Sequence, residues 1–279
     1  MKQTFGDRVK AWYRLDNNRQ KRFSENQSSA SNQSNKEKLL IMARSAKKRS
    51  RGPGSLALAM SLARTLHQKL DWRHFGNKVR RAEERMFGRE LRLLKKDIKL
   101  SPIDMHPSDV SSTEFVQEIR DIAPYFFLSL GGPLYRQELL DCITGVAINQ
   151  HAGHSPDYKG THTTEWALYH RNLTCISSTV HVTTSGADAG PILRRSNPCI
   201  FPDDTPATIF LRVAALGTEL MIETVQSMIS NNSYVIFPQP ITKGMTYIGK
   251  NMPPHVLRSV FRDFKKGWLQ DELLRRSKF

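Results

Sequence analysis

The chain has 279 residues, 39% of them apolar, a formal net charge of +16 and three cysteines, Cys142, Cys175 and Cys199. The apolar share is ordinary for a folded domain, and an odd, widely spaced cysteine set excludes a disulfide framework and a zinc motif and fits a reducing cytoplasm. No run approaches the roughly 18 consecutive apolar residues of a membrane span, and the mixed-charge start lacks the apolar core of a secretory signal.

The charge is unevenly placed. Residues 1–100 hold 26 Lys and Arg against nine Asp and Glu, while the remainder is nearly balanced. This basic third suits attraction of nucleic acid, an acidic membrane surface or a phosphorylated ligand; the plainer reading is a solvated arm and a charged helix face. Residues 1–37 form a basic and polar arm. Its stretch 15–37, rich in Ser, Asn and Gln, cannot bury enough apolar area to offset its ordering entropy and is expected to be disordered.

Residues 38–110 read as a basic helical region. Leu39–Met42 is a short strand candidate, followed by a cluster from Lys47 to Arg51 and a break at Gly52-Pro53-Gly54. Ser55 is placed to cap a helix over 56–70, and residues 73–97 keep a loose helical spacing at Val79, Met86, Leu91 and Leu94. Pro102 and Pro107 bracket a loop.

From residue 111 the pattern alternates. Ser111 and Glu114 have capping-box spacing for a helix to about Ile122. Tyr125–Leu130 is an apolar strand closed by Gly131-Gly132-Pro133, Gln137–Cys142 a short helix, and Gly145–Asn149 a buried strand. Thr163–His170 reads as a helix and Thr174–Thr183 as a β-branched strand. Thr205 with Pro206 opens a long helix to Ser230, and a further helix covers Val256–Leu274. This is an α/β pattern with an at least partly parallel sheet.

Asn149 and His151 leave an apolar strand at its carboxyl end, where open α/β sheets bind ligands. Two residues apart, they share one face of an extended segment. Downstream, Asp188 lies in a Gly-flanked turn after a second strand. The order Asn149-x-His151, Pro156-x-Tyr158-x-Gly160, His181, then Asp188-x-Gly190-Pro191-Ile192 resembles the formyltransferase superfamily over about half the chain. The resemblance implies a Rossmann-like sheet flanked by helices, with the basic N-terminal helical region as an atypical extension and residues 111–279 as the catalytic region. It also implies transfer of a formyl group from 10-formyltetrahydrofolate to an amine of a small-molecule acceptor, such as an amino sugar or a nucleotide-linked amine.

Carried over by position, the resemblance assigns Asn149 to the formyl carbonyl, His151 to the developing oxyanion, and Asp188 to the proton leaving the attacking amine. These are the roles such a reaction needs, since attack produces an oxyanion that wants donors and a cationic nitrogen that wants a base. The folate is expected against Leu130, Gly132, Pro133 and Leu134 and the loop Thr184, Ser185, Gly186 and Ala187. Pro156, Tyr158, Gly160, His162 and His181 are expected to support the site. His151, His154, Asp157 and His162 supply metal-ligand types within one loop but match no metal signature, so no metal is expected.

The first half departs from the family pattern. Gly52-Pro53-Gly54-Ser55 only faintly resembles a phosphate loop, and the basic stretch before it has no family counterpart. The residues after Asp188 are too few for the tRNA-binding domain of methionyl-tRNA formyltransferases, so nucleic acid, if it meets residues 1–100, is not the expected substrate. A second reading is an inactive formyltransferase-like protein whose basic region binds nucleic acid or another anionic partner.

Overall fold

The computed structural model describes residues 11, 13–15, 54–97, 103–231, 233–240 and 244–278. The polar stretch 16–37, the Leu39–Met42 run and the Gly52-Pro53 break fall outside the described residues. By contact the chain divides into two units, residues 24–77, and residues 1–23 together with 78–279. The first unit includes the opening turns of helix α1, Gly54–Asp97, where Trp72 and Phe75 meet edge to face at 5.9 Å. The two helices expected over 56–70 and 73–97 are one, because Asp71-Trp72 contains no glycine or proline to break the ladder.

In the second unit β1 (Tyr13–Leu15) pairs in parallel with β2 (Ile103–Met105). Helix α2 (Thr113–Ile122), strand β3 (Phe126–Leu130), helix α3 (Gln137–Leu140) and strand β4 (Val146–His151) follow. Next come β5 (Tyr158–Gly160), α4 (Thr163–Tyr169), β6 (Ser178–Val182) and β7 (Ile192–Ser196). The long α5 (Pro206–Asn231), then β8 (Met245–Tyr247), α6 (Pro254–Lys265) and α7 (Trp268–Arg276) complete the unit. The central sheet runs β3-β4-β6-β7. Its first pair is parallel and the other two are antiparallel. β5 and β8 form a separate parallel pair.

Helices cover both faces of the sheet, as an α/β fold requires. Phe126 and Leu128 of β3 pack with Val146, Ile148, Val180 and Leu193 against Leu220, Met221, Val225 and Met228 of α5. Phe127, between them, turns to the opposite face and joins Phe115 and Ile119 of α2 and Leu139 of α3. This is the two-residue alternation of a strand, and each fully buried aliphatic side chain contributes about 1.5–3 kcal/mol. A third cluster joins Ala167 and Leu168 of α4 to Ile209 and Val213 of α5, Val260 of α6 and Leu269 of α7. Among the described residues no helix is long and apolar enough to cross a membrane.

Several boundaries differ from the sequence reading. The loop bracketed by Pro102 and Pro107 contains β2, whose Met105 is fully buried. The cap of α2 is Ser112 rather than Ser111, since Ser112 Oγ accepts from the Phe115 amide at 3.2 Å. The helix at Gln137 ends at Leu140, short of Cys142. The strand expected from Thr174 starts at Ser178, because Asn197 Nδ2 ties down the carbonyls of Thr174 and Ile176 and holds a short 3-10 turn there. The helix expected over Val256–Leu274 breaks at Gly267, whose φ of 82° ends α6 and starts α7.

Candidate active site

The parallel β3–β4 pair sets Ser129 beside Asn149 and Leu130 beside Gln150, so the two strands end together. Across the antiparallel β4–β6 pair, Asn149 stands directly opposite His181. Such partners present their side chains on the same face, and His151, two residues on from Asn149, shares it. The turn from β6 to β7 then brings Asp188 over these three residues.

That turn is tightly specified. Asp188 adopts a left-handed φ of 46°, which Asp tolerates better than most residues. At Gly190 a Cβ would lie 1.8 Å from the Val182 carbonyl oxygen, where the Val182 amide donates to the Pro191 carbonyl at 2.9 Å. Gln239 Nε2 donates to the Asp188 carbonyl at 3.0 Å and also reaches the Gly190 carbonyl.

Four groups converge on the Asp188 carboxyl. His181 Nε2 lies 3.2 Å from Oδ1, and Asn149 Nδ2 donates to the same oxygen at 3.3 Å. His151 Nδ1 lies 3.3 Å from Oδ2, and the Gly160 amide donates to that oxygen at 2.7 Å. Each imidazole also meets a backbone carbonyl through its other nitrogen, His151 Nε2 with Tyr158 and His181 Nδ1 with Val182, both at 2.8 Å. Asn149 Nδ2 is also 3.2 Å from His181 Nε2. Its Oδ1 is buried with no hydrogen-bond partner among the described residues.

β5 organises this cluster through its backbone. On one edge Asp157 and Thr161 bond to β8: the Met245 amide donates to the Asp157 carbonyl and the Thr161 amide to the Tyr247 carbonyl. On the other edge the Tyr158 carbonyl holds His151 and the Gly160 amide holds Asp188. Gly160, at φ 92°, passes so close to β8 that a Cβ would meet the Tyr247 carbonyl oxygen at 2.1 Å.

Burial pushes the His151 imidazole below the usual histidine range, an effect that the Asp188 charge only partly offsets. Burial alone would raise the Asp188 carboxyl, but its hydrogen bond with His181 and the neighbouring imidazoles hold it below its ordinary value. Burial also sends Glu165, on α4, up to about 7, and takes His162 down to about 4. His162 Nδ1 is 3.9 Å from Glu165 Oε2.

Of the residues singled out in the sequence, Asn149, His151, His181 and Asp188 meet directly. Tyr158 and Gly160 enter through backbone atoms, and Pro156 follows a cis peptide bond in the same loop. His162 caps α4 in a left-handed conformation. Leu130 and Leu134 are exposed beyond the end of β3, flanking a turn that contains Gly132 and Pro133. Thr184, Ser185, Gly186 and Ala187 form the loop leading to Asp188, with Ser185 and Gly186 exposed. Two residues were not foreseen. Gln239 is marked only by its place between Pro238 and Pro240, and Glu165 only as a charged residue within an apolar helix.

A family model described as "Formyl transferase" matches residues 22–225. The methionyl-tRNA formyltransferase of Thermodesulfovibrio yellowstonii is 29% identical over 143 residues, 50% of this chain and 45% of that protein. The enzyme of the same name from Myxococcus xanthus is 29% identical over 142 residues, again 50% and 45%. The chain thus spans somewhat under half the length of these curated relatives. Among solved structures, a sugar N-formyltransferase from a Shewanella species is 20% identical with a TM-score of 0.44, over 53% of this chain and 56% of that one. A phosphoribosylglycinamide formyltransferase from Bacillus halodurans is 25% identical with a TM-score of 0.41, over 48% and 72%.

Proposed function

Because the chain belongs to the formyl transferase family, we propose that it transfers a formyl group from 10-formyltetrahydrofolate to the amine of a small-molecule acceptor, with Asn149, His151 and Asp188 as the reacting groups. The observation that carries this reading is the 3.3 Å gap between His151 Nδ1 and Asp188 Oδ2. His151 Nε2 donates to the Tyr158 carbonyl, so a neutral imidazole turns the lone pair of Nδ1 toward the carboxylate. Burial favours that neutral form. Two facing lone pairs repel, and a proton placed between them relieves the repulsion. The gap is a receptacle for the proton that an attacking amine must release.

The remaining groups fit the rest of the chemistry. Asn149, whose Nδ2 meets both His181 and Asp188, is taken to hold and polarise the formyl carbonyl. Once His151 holds a second proton, its imidazolium stabilises negative charge developing on the formyl oxygen. Exposed Leu130 and Leu134, at the mouth where β3 and β4 end, fit a flat, largely apolar ring such as that of a folate. The bond between the formyl carbon and the folate nitrogen breaks as the new amide forms, and tetrahydrofolate leaves with the proton given up by the amine; the protein supplies position and proton handling.

The test is to incubate the purified chain with 10-formyltetrahydrofolate and a panel of amino-sugar nucleotides, other biosynthetic amines and methionyl-tRNA. Tetrahydrofolate release and product mass are followed. Formylation of a small amine is expected. Formylation of methionyl-tRNA alone would replace the acceptor. A folded protein with no turnover that binds nucleic acid in a steeply salt-dependent way would favour the inactive reading.

A further inference from the structure

Lys159, the middle residue of β5, exposes only 8% of its surface. Among the described residues its ammonium makes no hydrogen bond and no ion pair. A lysine whose stem is covered and whose tip stays accessible can offer its charge to an incoming anion. Among the described residues the enclosed side-chain polar atoms without partners are those of Asn149, Ser155, Trp166, Thr183 and Gln239. Nζ of Lys159 is not one of them, so the tip is not fully enclosed although the rest of the residue is covered.

The position of that tip follows from the strand. Tyr158 turns its ring into a group with Tyr247 and Trp166; the Tyr158 and Tyr247 rings stack at 5.5 Å. Side chains alternate along a strand, so Lys159 leaves β5 on the opposite face. The residues on either side supply the two backbone contacts that fix the reactive pair, Tyr158 to His151 and Gly160 to Asp188. Among the described residues Asp188 makes no ion pair with Lys159; its oxygens meet two imidazoles, an amide side chain and a backbone N–H. Lys159 is thus set between the two residues whose backbones meet His151 and Asp188, and among the described residues no carboxylate pairs with it.

We propose that Lys159 anchors an anion subsite of this pocket, taking an oxyanion group, carboxylate or phosphate, of a bound substrate. From the formyl-transfer reading it takes only that ligands approach the Asp188 pocket. A charge-assisted hydrogen bond of this kind changes affinity by about tenfold to a hundredfold.

Calorimetric titrations of the full chain, with Lys159→Met and Lys159→Arg beside the wild type, test it against two probes. Folinic acid carries carboxylates and no phosphate, and inorganic pyrophosphate is the phosphate probe. Lys159→Met is expected to weaken one probe about tenfold to a hundredfold, with Lys159→Arg staying within a few-fold of wild type. Loss confined to folinic acid assigns the subsite to the folate's carboxylates; loss confined to pyrophosphate assigns it to a phosphorylated acceptor. Equal binding by all three proteins, or no binding of either probe by the wild type, overturns the subsite. Pyrophosphate binding that depends on Lys159 without folinic acid binding would keep the subsite and remove the formyl-transfer reading. Folinic acid binding indifferent to Lys159, with no effect on pyrophosphate, would do the reverse. Melting curves establish that each variant is folded, and Lys159→Gln replaces the methionine variant should that one fail to fold.

Discussion

Asn149 and His181 face each other across the antiparallel β4–β6 pair and both reach the same oxygen of Asp188, at 3.3 and 3.2 Å. Their positions are 32 residues apart in sequence, yet the sheet register alone brings them together. The arrangement proposed to react is thus a property of strand pairing, with the turn supplying only the carboxylate.

Asp188→Asn is expected to lower the rate of formyl transfer by about 10²- to 10⁴-fold, the usual contribution of a positioned proton acceptor. Folinic acid affinity should change by only a few-fold, because the amide keeps the shape of the carboxylate and an acceptor for the Gly160 amide. Turnover and calorimetry on the same preparation check this. Parallel loss of rate and affinity would mean that Asp188 is a wall of the pocket and no proton acceptor.

Gly190→Ala should be far more destabilising than Gly131→Ala. At Gly190 the added carbon meets the Val182 carbonyl oxygen, a backbone atom within a paired strand that cannot swing away. At Gly131 there is open space, and the cost is only that of a left-handed φ of 64°, about 1 kcal/mol. Urea unfolding midpoints of the two variants give the comparison. Equal midpoints would show that the β6–β7 turn relaxes freely.

Glu165 gives stability a pH dependence of definite sign. Its carboxyl titrates near 7 in the folded protein against a reference of 4.5, so the folded chain binds the extra proton. That contribution is fully present below about 4.5 and is lost as pH rises through about 7. Glu165→Gln is therefore expected to raise the urea midpoint at pH 8 and to leave it nearly unchanged at pH 4.5. A uniform shift at both values would assign the effect to packing and not to ionisation.

Ser112→Ala should cost about 1 kcal/mol, the ordinary value of a lost helix cap, because Ser112 Oγ accepts from the Phe115 amide. Ser111→Ala should be close to neutral. Thermal melts of the two single variants distinguish them, and the reverse order would restore Ser111 as the cap.

The strand-end pair Asn149 and His151, the turn with Asp188 and the α/β layering were legible because each leaves a local trace: an apolar run ending in polar residues, or an Asp beside glycine. What was not legible depends on distant partners. Three-residue strands such as β2 and β5 bury little of their own surface and exist because β1 and β8 pair with them. Gln239 meets the Asp188 turn only because the chain returns to it 51 residues later. The break at Gly267 was visible as a glycine, yet a glycine is tolerated within many helices, and only the packing of α7 against the rest decides the outcome.

The two-edged role of β5 bears on how divisible the protein is. All the side chains proposed to react lie between positions 149 and 188, and the sheet that carries them closes at Ser196. A fragment ending after α5 would retain every one of them, together with the main core. It would still lack β8, the strand that backs β5 and so sets the height of the Tyr158 carbonyl and the Gly160 amide beneath His151 and Asp188. Such a fragment is expected to keep its fold and lose its alignment, which makes the smallest stable piece and the smallest competent piece two different lengths of chain.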